Sequence, residues 1–214
     1  MRVALVNPNT SRETTAMMVA IARGVAKEGL VVEGLTAPRG VPLITEPSAY
    51  AVAAEVVASM APDLREFDGV IVAAFGDPGA DALRVELGCP VVGLAEAALA
   101  EAAAHGPYAI ATTTPDLGEV LTALPARYGV PAPLAIRYTR SCARVLGADA
   151  KALVAELGEA AERAVADGAR AVVIGGGPLA DAAEAVARSL AVPVIAPVRS
   201  AVRAIVKRCE RAAR

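Results

Sequence analysis

The chain has 214 residues, of which 55% are hydrophobic and 3% aromatic, with a formal net charge of −2 at pH 7. This length allows one or two domains with a sizeable apolar core, and the longest apolar runs fall short of the roughly 20 residues of a membrane span. Lysine and arginine are scattered and aromatic residues are few, which argues against binding to nucleic acid or to an anionic membrane.

The amino terminus reads MRVALVNPNT, a strand pattern followed at once by a polar turn. It lacks the basic stretch, long apolar run and small-residue cleavage site of a secretory signal. We therefore expect a cytoplasmic protein.

Eight short apolar runs predict strands, in the order RVALV, LVVEGLTA, GVIVAAF, PVVGL, YAIATT, PLAIRYT, AVVIGG and PVIAP. Helical patterns lie between them, such as SRETTAMMVAIARGVAKEG, SAYAVAAEVVASMA, DLGEVLTALPARYG and AKALVAELGEAAERAVADG. This alternation predicts an α/β fold built from right-handed βαβ units, with mainly parallel sheets.

An internal repeat divides these elements into two halves. VALVNPNT from Val3 matches YAIATTTP from Tyr108, VIVAAFGDPG matches VVIGGGPLAD with Ala74 opposite Gly176, and Pro90 matches Pro193. The offsets of 105, 102 and 103 residues predict two pseudo-symmetric lobes with a ligand in the cleft between them. The alternative is that these matches are the internal similarities that all doubly wound folds show.

We place the first lobe at residues 1–95 plus 196–214 and the second at 96–195. The last segment, 198–214, has an apolar stripe at helical spacing and is expected to return to the first lobe. The stripe consists of Val198, Ala201, Val202, Ile205 and Val206.

The three cysteines lie far apart and have no CxxC spacing, so neither a metal site nor a disulfide framework is expected. His105 is the only histidine. Gly106 and Pro107 follow it as helix-stop signals, so we expect His105 to have a structural role at a helix end.

Several motifs, in this order, resemble the Asp/Glu/hydantoin racemase superfamily, and most closely its hydantoin and allantoin racemase branch. They are NPNTS, FGDPG, PVVGLAEAA, TTTP and a glycine-rich turn before PVIAPV. The resemblance covers nearly the whole chain, and the pair NPNTS and FGDPG is its most specific part.

The resemblance implies a cofactor-independent enzyme. Members of the family use two cysteines, one per lobe, to remove a proton from one face of an acidic carbon and return one to the other face. By alignment with the family motifs these cysteines would fall at Ala74 and Gly176, so both thiols are missing. The two small residues are expected to enlarge the cleft.

The resemblance also implies that polar turns hold the substrate's carboxylate or ring amide. The expected substrate-binding residues are Asn7, Asn9, Thr10, Ser11, Phe75, Gly76, Asp77, Thr112, Thr113, Thr114 and Gly177. The N–H groups of Gly76, Gly79 and Gly175–Gly177 could stabilise an oxyanion, or these glycines could simply permit positive φ. Ser11 is also expected to cap a helix.

Another residue would have to move the proton. Glu46 and Tyr50 are our candidates, because they lie in the loop after the second strand, GVPLITEPSAY, which borders the site in this family. Asp77 is expected to cap its helix, and Cys142, 34 residues before Gly176, to be incidental.

Two functions remain open at this point. One is an isomerase- or lyase-type enzyme that forms a carbanion or enolate from a small carboxylate or cyclic amide, as arylmalonate decarboxylases do with a single cysteine. The other is a non-catalytic relic that binds a metabolite. We expect a homo-oligomer without metal, cofactor, nucleic acid or membrane.

Overall fold

A computed structural model describes residues 1–212, and the chain divides into two compact units. Met1–Ala97, together with the chain from Val198 onward, form the first unit, and Ala98–Pro197 form the second. No helix within residues 1–212 combines the length and apolar character required to span a bilayer.

The first unit contains a four-stranded parallel sheet with strand order β2-β1-β3-β4. Its strands are β1 (Arg2–Asn7), β2 (Val31–Thr36), β3 (Gly69–Val72) and β4 (Val91–Gly93). Its helices are α1 (Arg12–Val25), α2 (Pro47–Ser59), α3 (Ala61–Leu64), α4 (Ala80–Glu86), α5 (Leu94–Ala103), most of which is in the second unit, and α10 (Pro197–Ala212).

The second unit repeats this arrangement with strand order β6-β5-β7-β8, again all parallel. Its strands are β5 (Tyr108–Thr112), β6 (Ala135–Tyr138), β7 (Ala171–Ile174) and β8 (Val194–Ile195). Its helices are α6 (Gly118–Tyr128), α7 (Ala143–Leu146), α8 (Ala150–Ala166) and α9 (Ala180–Ala187), with 3₁₀ turns at Pro115–Leu117 and Gly177–Leu179.

The repeat extends to individual backbone hydrogen bonds. The N–H of Ala73 donates to the carbonyl oxygen of Val6 at 2.7 Å, and the N–H of Gly175 donates to that of Ala111 at 2.8 Å. The N–H of Val70 donates to the carbonyl oxygen of Pro90 at 2.9 Å, and the N–H of Val172 donates to the carbonyl oxygen of Pro193 at 3.0 Å. The predicted α/β fold with two pseudo-symmetric parallel sheets is therefore confirmed.

Alanine-rich helices cover the strands because small side chains let helix and sheet approach closely. All residues of β3, β5 and β7 are buried, as expected for parallel strands covered on both faces. In the second unit Ala160, Ala161 and Ala164 of α8 pack with Val172 and Ile174 of β7.

Helix α10 packs directly on β3. A Cβ built on Gly69 would lie 2.8 Å from Sγ of Cys209 and 2.9 Å from Cγ1 of Ile205. The Cys209 thiol donates to the carbonyl oxygen of Asp68 at 3.1 Å, and burial raises its pKa. The predicted last helix also included residues 213 and 214, which lie outside the described residues.

Gly69→Ala should destabilise the protein by about 1–3 kcal/mol, because the new methyl group forces Cys209 and Ile205 of α10 to shift. Urea unfolding followed by circular dichroism measures the change. Gly88→Ala is the matched control, since a Cβ there meets nothing within 4 Å. Equal unfolding midpoints for the two variants would contradict the close packing of α10 on β3.

Candidate active site

Each unit carries predicted site residues in the turns that follow its strands. In the first unit they lie after β1, before and within α2, and after β3. In the second unit they lie after β5 and after β7. Carboxyl ends of parallel strands are the usual place for ligand sites in open α/β sheets.

The turn after β1 is held by the buried side chain of Asn7. Its Nδ2 group donates to Oδ1 of Asn9 at 2.8 Å and to Oγ1 of Thr15 at 3.0 Å. Its Oδ1 atom accepts from the N–H of Asn9 at 3.2 Å. Ser11 caps α1 by accepting from the N–H of Thr14 at 3.1 Å, as predicted.

Sequence reasoning missed Thr15 as a member of this network. Thr15 lies four residues after Ser11 on α1, and its hydroxyl donates to the Ser11 carbonyl oxygen at 3.1 Å. The hydroxyl of Thr36 on β2 lies 2.7 Å from the Thr15 hydroxyl. The i, i+4 spacing from Ser11 was the available signal.

Asn9 presents an amide donor to solvent. Its Oδ1 accepts from both Asn7 Nδ2 and the N–H of Ser11, which fixes the orientation of the amide. Within residues 1–212 its Nδ2 group has no hydrogen-bond partner. Every fully buried side-chain nitrogen or oxygen of the described chain is paired, so this NH₂ group reaches solvent although Asn9 is only 4% exposed.

The turn after β3 takes a backbone path that requires positive φ angles. Gly76 has φ 123°, Asp77 has φ 57° and Gly79 has φ 77°. A Cβ on Gly79 would lie 2.6 Å from the carbonyl oxygen of Ala54, so α2 packs directly on this turn. Phe75 is buried and Ala74 is half-buried.

Asp77 caps α5 rather than α4, the helix that follows its own turn. Its carboxylate accepts from the N–H groups of Ala95 and Glu96, each at 2.8 Å. Asp77 is fully buried, and a Cβ on Gly93 would lie 2.0 Å from its Cγ. The predicted capping role is therefore correct, but the helix was wrong, because its partner lies 18 residues along the chain.

Glu46 and Tyr50 were expected in the loop after the second strand, although the helical pattern SAYAVAAEVVASMA includes Tyr50, and both lie at the start of α2. Glu46 is the exposed N-cap residue of α2, and its Oε1 accepts from the hydroxyl of Ser48 at 3.0 Å. Tyr50 lies inside α2, and its hydroxyl donates to the carbonyl oxygen of Gly76 at 2.7 Å. Tyr50 thus stabilises the turn after β3 through a hydrogen bond. The hydroxyl hydrogen in this bond is the one that a general acid would have to transfer.

In the second unit the threonine turn follows β5. The Thr112 hydroxyl donates to the carbonyl oxygen of Gly175 at 2.7 Å, so Thr114, 3.3 Å away, must be the donor in the Thr112–Thr114 pair. Thr113 is only 3% exposed, and its hydroxyl has no partner among the described residues. Thr113 therefore carries the one hydroxyl donor of this turn that no described residue uses.

The glycine turn after β7 does not need positive φ, since Gly176 has an extended φ of 169°. The N–H groups of Gly175 and Gly176 donate to Ala111 and Ile174, which removes both as oxyanion donors. A Cβ on Gly176 would lie 2.8 Å from Cγ and Cδ1 of Leu179. Leu179 thus fills space beside Gly176, where we expected only an enlarged cleft.

None of the remaining cysteines lies in these turns. Burial raises the pKa of the Cys89 thiol, as it does for Cys209, and so disfavours the reactive thiolate. Cys142 is the exposed N-cap residue of α7. His105 lies exposed in the turn after α5.

Known proteins resemble this chain over nearly its whole length. Residues 3–205 match the family model described as Asp/Glu/Hydantoin racemase. A hydantoin racemase from Paenarthrobacter aurescens is 31% identical over 209 residues, covering 95% of this chain and 89% of its own.

Two solved structures share the fold. Allantoin racemase from Klebsiella pneumoniae is 32% identical with a TM-score of 0.91, covering 97% of this chain and 86% of its own. Allantoin racemase from Pseudomonas fluorescens is 27% identical with a TM-score of 0.94, covering 99% of this chain and 92% of its own.

Asp77→Asn should lower the free energy of unfolding by about 1–3 kcal/mol, because an amide retains one acceptor for the two N–H groups at the start of α5. Chemical unfolding at pH 7 measures this loss. Asp81→Asn, at an exposed aspartate of α4, is the control and should change stability by less than about 1 kcal/mol. A variant at position 77 as stable as the control would show that the cap contributes nothing.

Proposed function

The chain belongs to the Asp/Glu/hydantoin racemase family, and from that premise we propose that it acts on a small carboxylate or cyclic amide without a cofactor. Its relatives are named as racemases, which supports an isomerase-type enzyme. The chemistry is the formation of a carbanion or enolate at an acidic carbon. A hydantoin, an amino acid or a substituted malonate is the substrate class.

The observation that carries this proposal is the set of unpaired donors in the turns. Asn9 Nδ2 in the first unit and the Thr113 hydroxyl in the second lack partners within residues 1–212, although both residues are nearly buried. The N–H groups of Ala74 and Phe75 are also unpaired within that range. Preorganised donors of this kind bind carboxylates and stabilise oxyanions.

The positions of the missing thiols are part of the proposal. We assign the family cysteines to Ala74, in the turn after β3, and to Gly176, in the turn after β7. The pairing of Ala73 with Val6 and of Gly175 with Ala111 gives these two positions equivalent places in their own units. That both turns border one cleft, and that the protein is a homo-oligomer, remain predictions.

A non-catalytic binding protein is the second candidate. The environments of the two candidate proton carriers favour it. Glu46 is exposed at the N-cap of α2, and the Tyr50 hydroxyl donates a hydrogen bond to a backbone carbonyl oxygen. Such a protein would retain the donors of the turns without a group that removes the proton.

Incubation with hydantoins, amino acids and substituted malonates in D₂O, followed by NMR, separates the two candidates. Deuterium incorporation at the acidic carbon without racemisation supports the enzyme, because one-sided proton exchange needs no pair of thiols. Saturable binding of a compound that exchanges no proton identifies the binding protein. Absence of both would overturn the proposal.

Restoring both thiols should create racemase activity, provided that the second thiol has room. Ala74→Cys and Gly176→Cys would be combined with Leu179→Ala, because Leu179 lies where the new Cβ would be. General acid–base groups contribute about 10²–10⁴-fold each, so racemisation of a hydantoin should rise well above background. Chiral chromatography measures the rate.

The control carries serine instead of cysteine at both positions, with Leu179→Ala retained. Serine has nearly the same shape, but its hydroxyl does not ionise near neutral pH, so this variant should stay inactive. A folded triple variant with both cysteines that binds the substrate yet does no better than the serine control would show that the two positions are wrongly assigned.

A further inference from the structure

The first unit has a second concave site, an open groove between α1 and β2. Its volume is about 490 Å³, within the range of small-molecule sites. The lining combines one cation, two hydroxyl groups and an apolar floor. The residues are Arg12, Thr15, Ala16, Val19, Gly34 and Thr36.

The second unit provides an internal comparison for this groove. Asn7 pairs with Thr36 and Leu5 pairs with Gly34 in the first unit, whereas Thr112 pairs with Tyr138 and Ile110 pairs with Ile136 in the second. At these equivalent positions β6 therefore carries two large side chains where β2 carries a glycine and a threonine.

In the second unit the side chain of Tyr138 lies against the start of α6. A Cβ built on Gly118, the first residue of α6, would lie 3.1 Å from the Tyr138 hydroxyl. The ring thus reaches the start of the helix that corresponds to α1. In the first unit a Cβ built on Gly34 would lie 2.7 Å from Cγ2 of Val19 and 2.8 Å from Cγ2 of Thr15, so this glycine lets α1 approach β2 closely, and the groove lies beside that contact.

Arg12 gives the groove an uncompensated positive charge. No carboxylate within the described part of the chain forms an ion pair with it. Arg12 is also the first residue of α1, where the helix dipole opposes a cation. Arg12 is exposed, so its guanidinium is hydrated, and an anion in the groove would be attracted both by this charge and by the N-terminal end of α1.

The hydroxyl groups of the groove connect it to the turn after β1. Because the Thr15 hydroxyl donates to Ser11, Thr36 is the donor in the Thr15–Thr36 bond. The Thr36 hydroxyl can rotate to donate to a ligand while Thr15 keeps its bonds to Ser11 and Asn7. The groove thus offers a second donor beside Arg12 without breaking the Asn7 network.

We propose that this groove binds a small organic carboxylate, with the carboxylate on Arg12 and Thr36 and the apolar body over Ala16, Val19 and Gly34. A single guanidinium can neutralise one negative charge, and the planar fork suits a carboxylate. A phosphate dianion would retain excess charge and would make no use of the apolar floor. The proposal does not depend on the proposed function.

Benzoate and propionate are the probes, titrated into the whole protein and followed by ¹H–¹⁵N NMR. Backbone resonances of Ala16 and Gly34 report the groove, whereas those of Phe75 and Thr113 report the candidate active site. Ala16→Leu fills the groove from an exposed helix position, and Arg12→Gln removes the charge. Arg65→Gln, at another exposed arginine that lacks an ion pair within residues 1–212, is the control.

Saturable shifts at Ala16 and Gly34 are expected in the wild type and in the Arg65→Gln variant. Binding read at Gly34 should weaken at least about tenfold in Arg12→Gln, the effect of one lost charge-assisted contact, and by a similar factor in Ala16→Leu, because the larger side chain excludes the apolar body of the ligand. Shifts confined to Phe75 and Thr113, or unchanged affinity in the two groove variants, would overturn the proposal. Binding of inorganic phosphate as tight as that of benzoate would overturn the assignment to a carboxylate.

Discussion

The buried carboxylate of Asp77 links three parts of the first unit. It lies in the turn after β3, caps the first turn of α5 with both oxygens, and fits against the bare backbone of Gly93 at the end of β4. An ionised carboxylate without exposure would be strongly unfavourable unless its oxygens accepted hydrogen bonds. The two N–H groups and the positive end of the α5 dipole satisfy that requirement.

The path of the turn follows from this constraint. To bring its carboxylate to α5, Asp77 adopts a left-handed φ of 57°, which is unfavourable for a residue other than glycine. Gly76 and Gly79 on either side absorb the remaining positive φ angles, and Tyr50 ties the Gly76 carbonyl to α2. The N–H groups of Ala74 and Phe75 are thereby held without partners of their own within residues 1–212.

Sequence patterns predicted the fold well because they are local. Each strand is an apolar run bounded by turn residues, and the offsets of the repeat already indicated two similar sheets. The site was predicted less completely, because its contacts join distant segments: Tyr50 reaches Gly76 across 26 residues and Asp77 reaches Ala95 across 18. Helix α2, which contains Tyr50, also begins earlier than the predicted helical pattern SAYAVAAEVVASMA. Pro47, which precedes that pattern, lies in its first turn.

The two units show which features of the repeat are free to diverge. Backbone bonds such as Ala73–Val6 and Gly175–Ala111 are retained, since a parallel ladder can be lost only at the cost of buried, unpaired N–H groups. Side chains at the strand ends can differ when each unit satisfies its own buried polar groups: Asn7 bonds to Asn9 and Thr15, whereas the corresponding Thr112 bonds to Gly175, and Thr36 corresponds to Tyr138.

The same reasoning applies to the proposed assignment, in which the family fold lacks its two thiols at positions 74 and 176 and retains its donors. The hydrogen-bond donors of the turns belong to the network that also fixes the backbone, as Asn7 and Asn9 illustrate, so their loss would destabilise the unit. A side chain at position 74 or 176 supports nothing else, and beside Gly176 the side chain of Leu179 has taken up the space. Oxyanion stabilisation by such donors contributes to catalysis even when general acid–base groups are absent. On the proposed assignment, chemistry at this site is therefore limited by the transfer of the proton rather than by the binding of the charge.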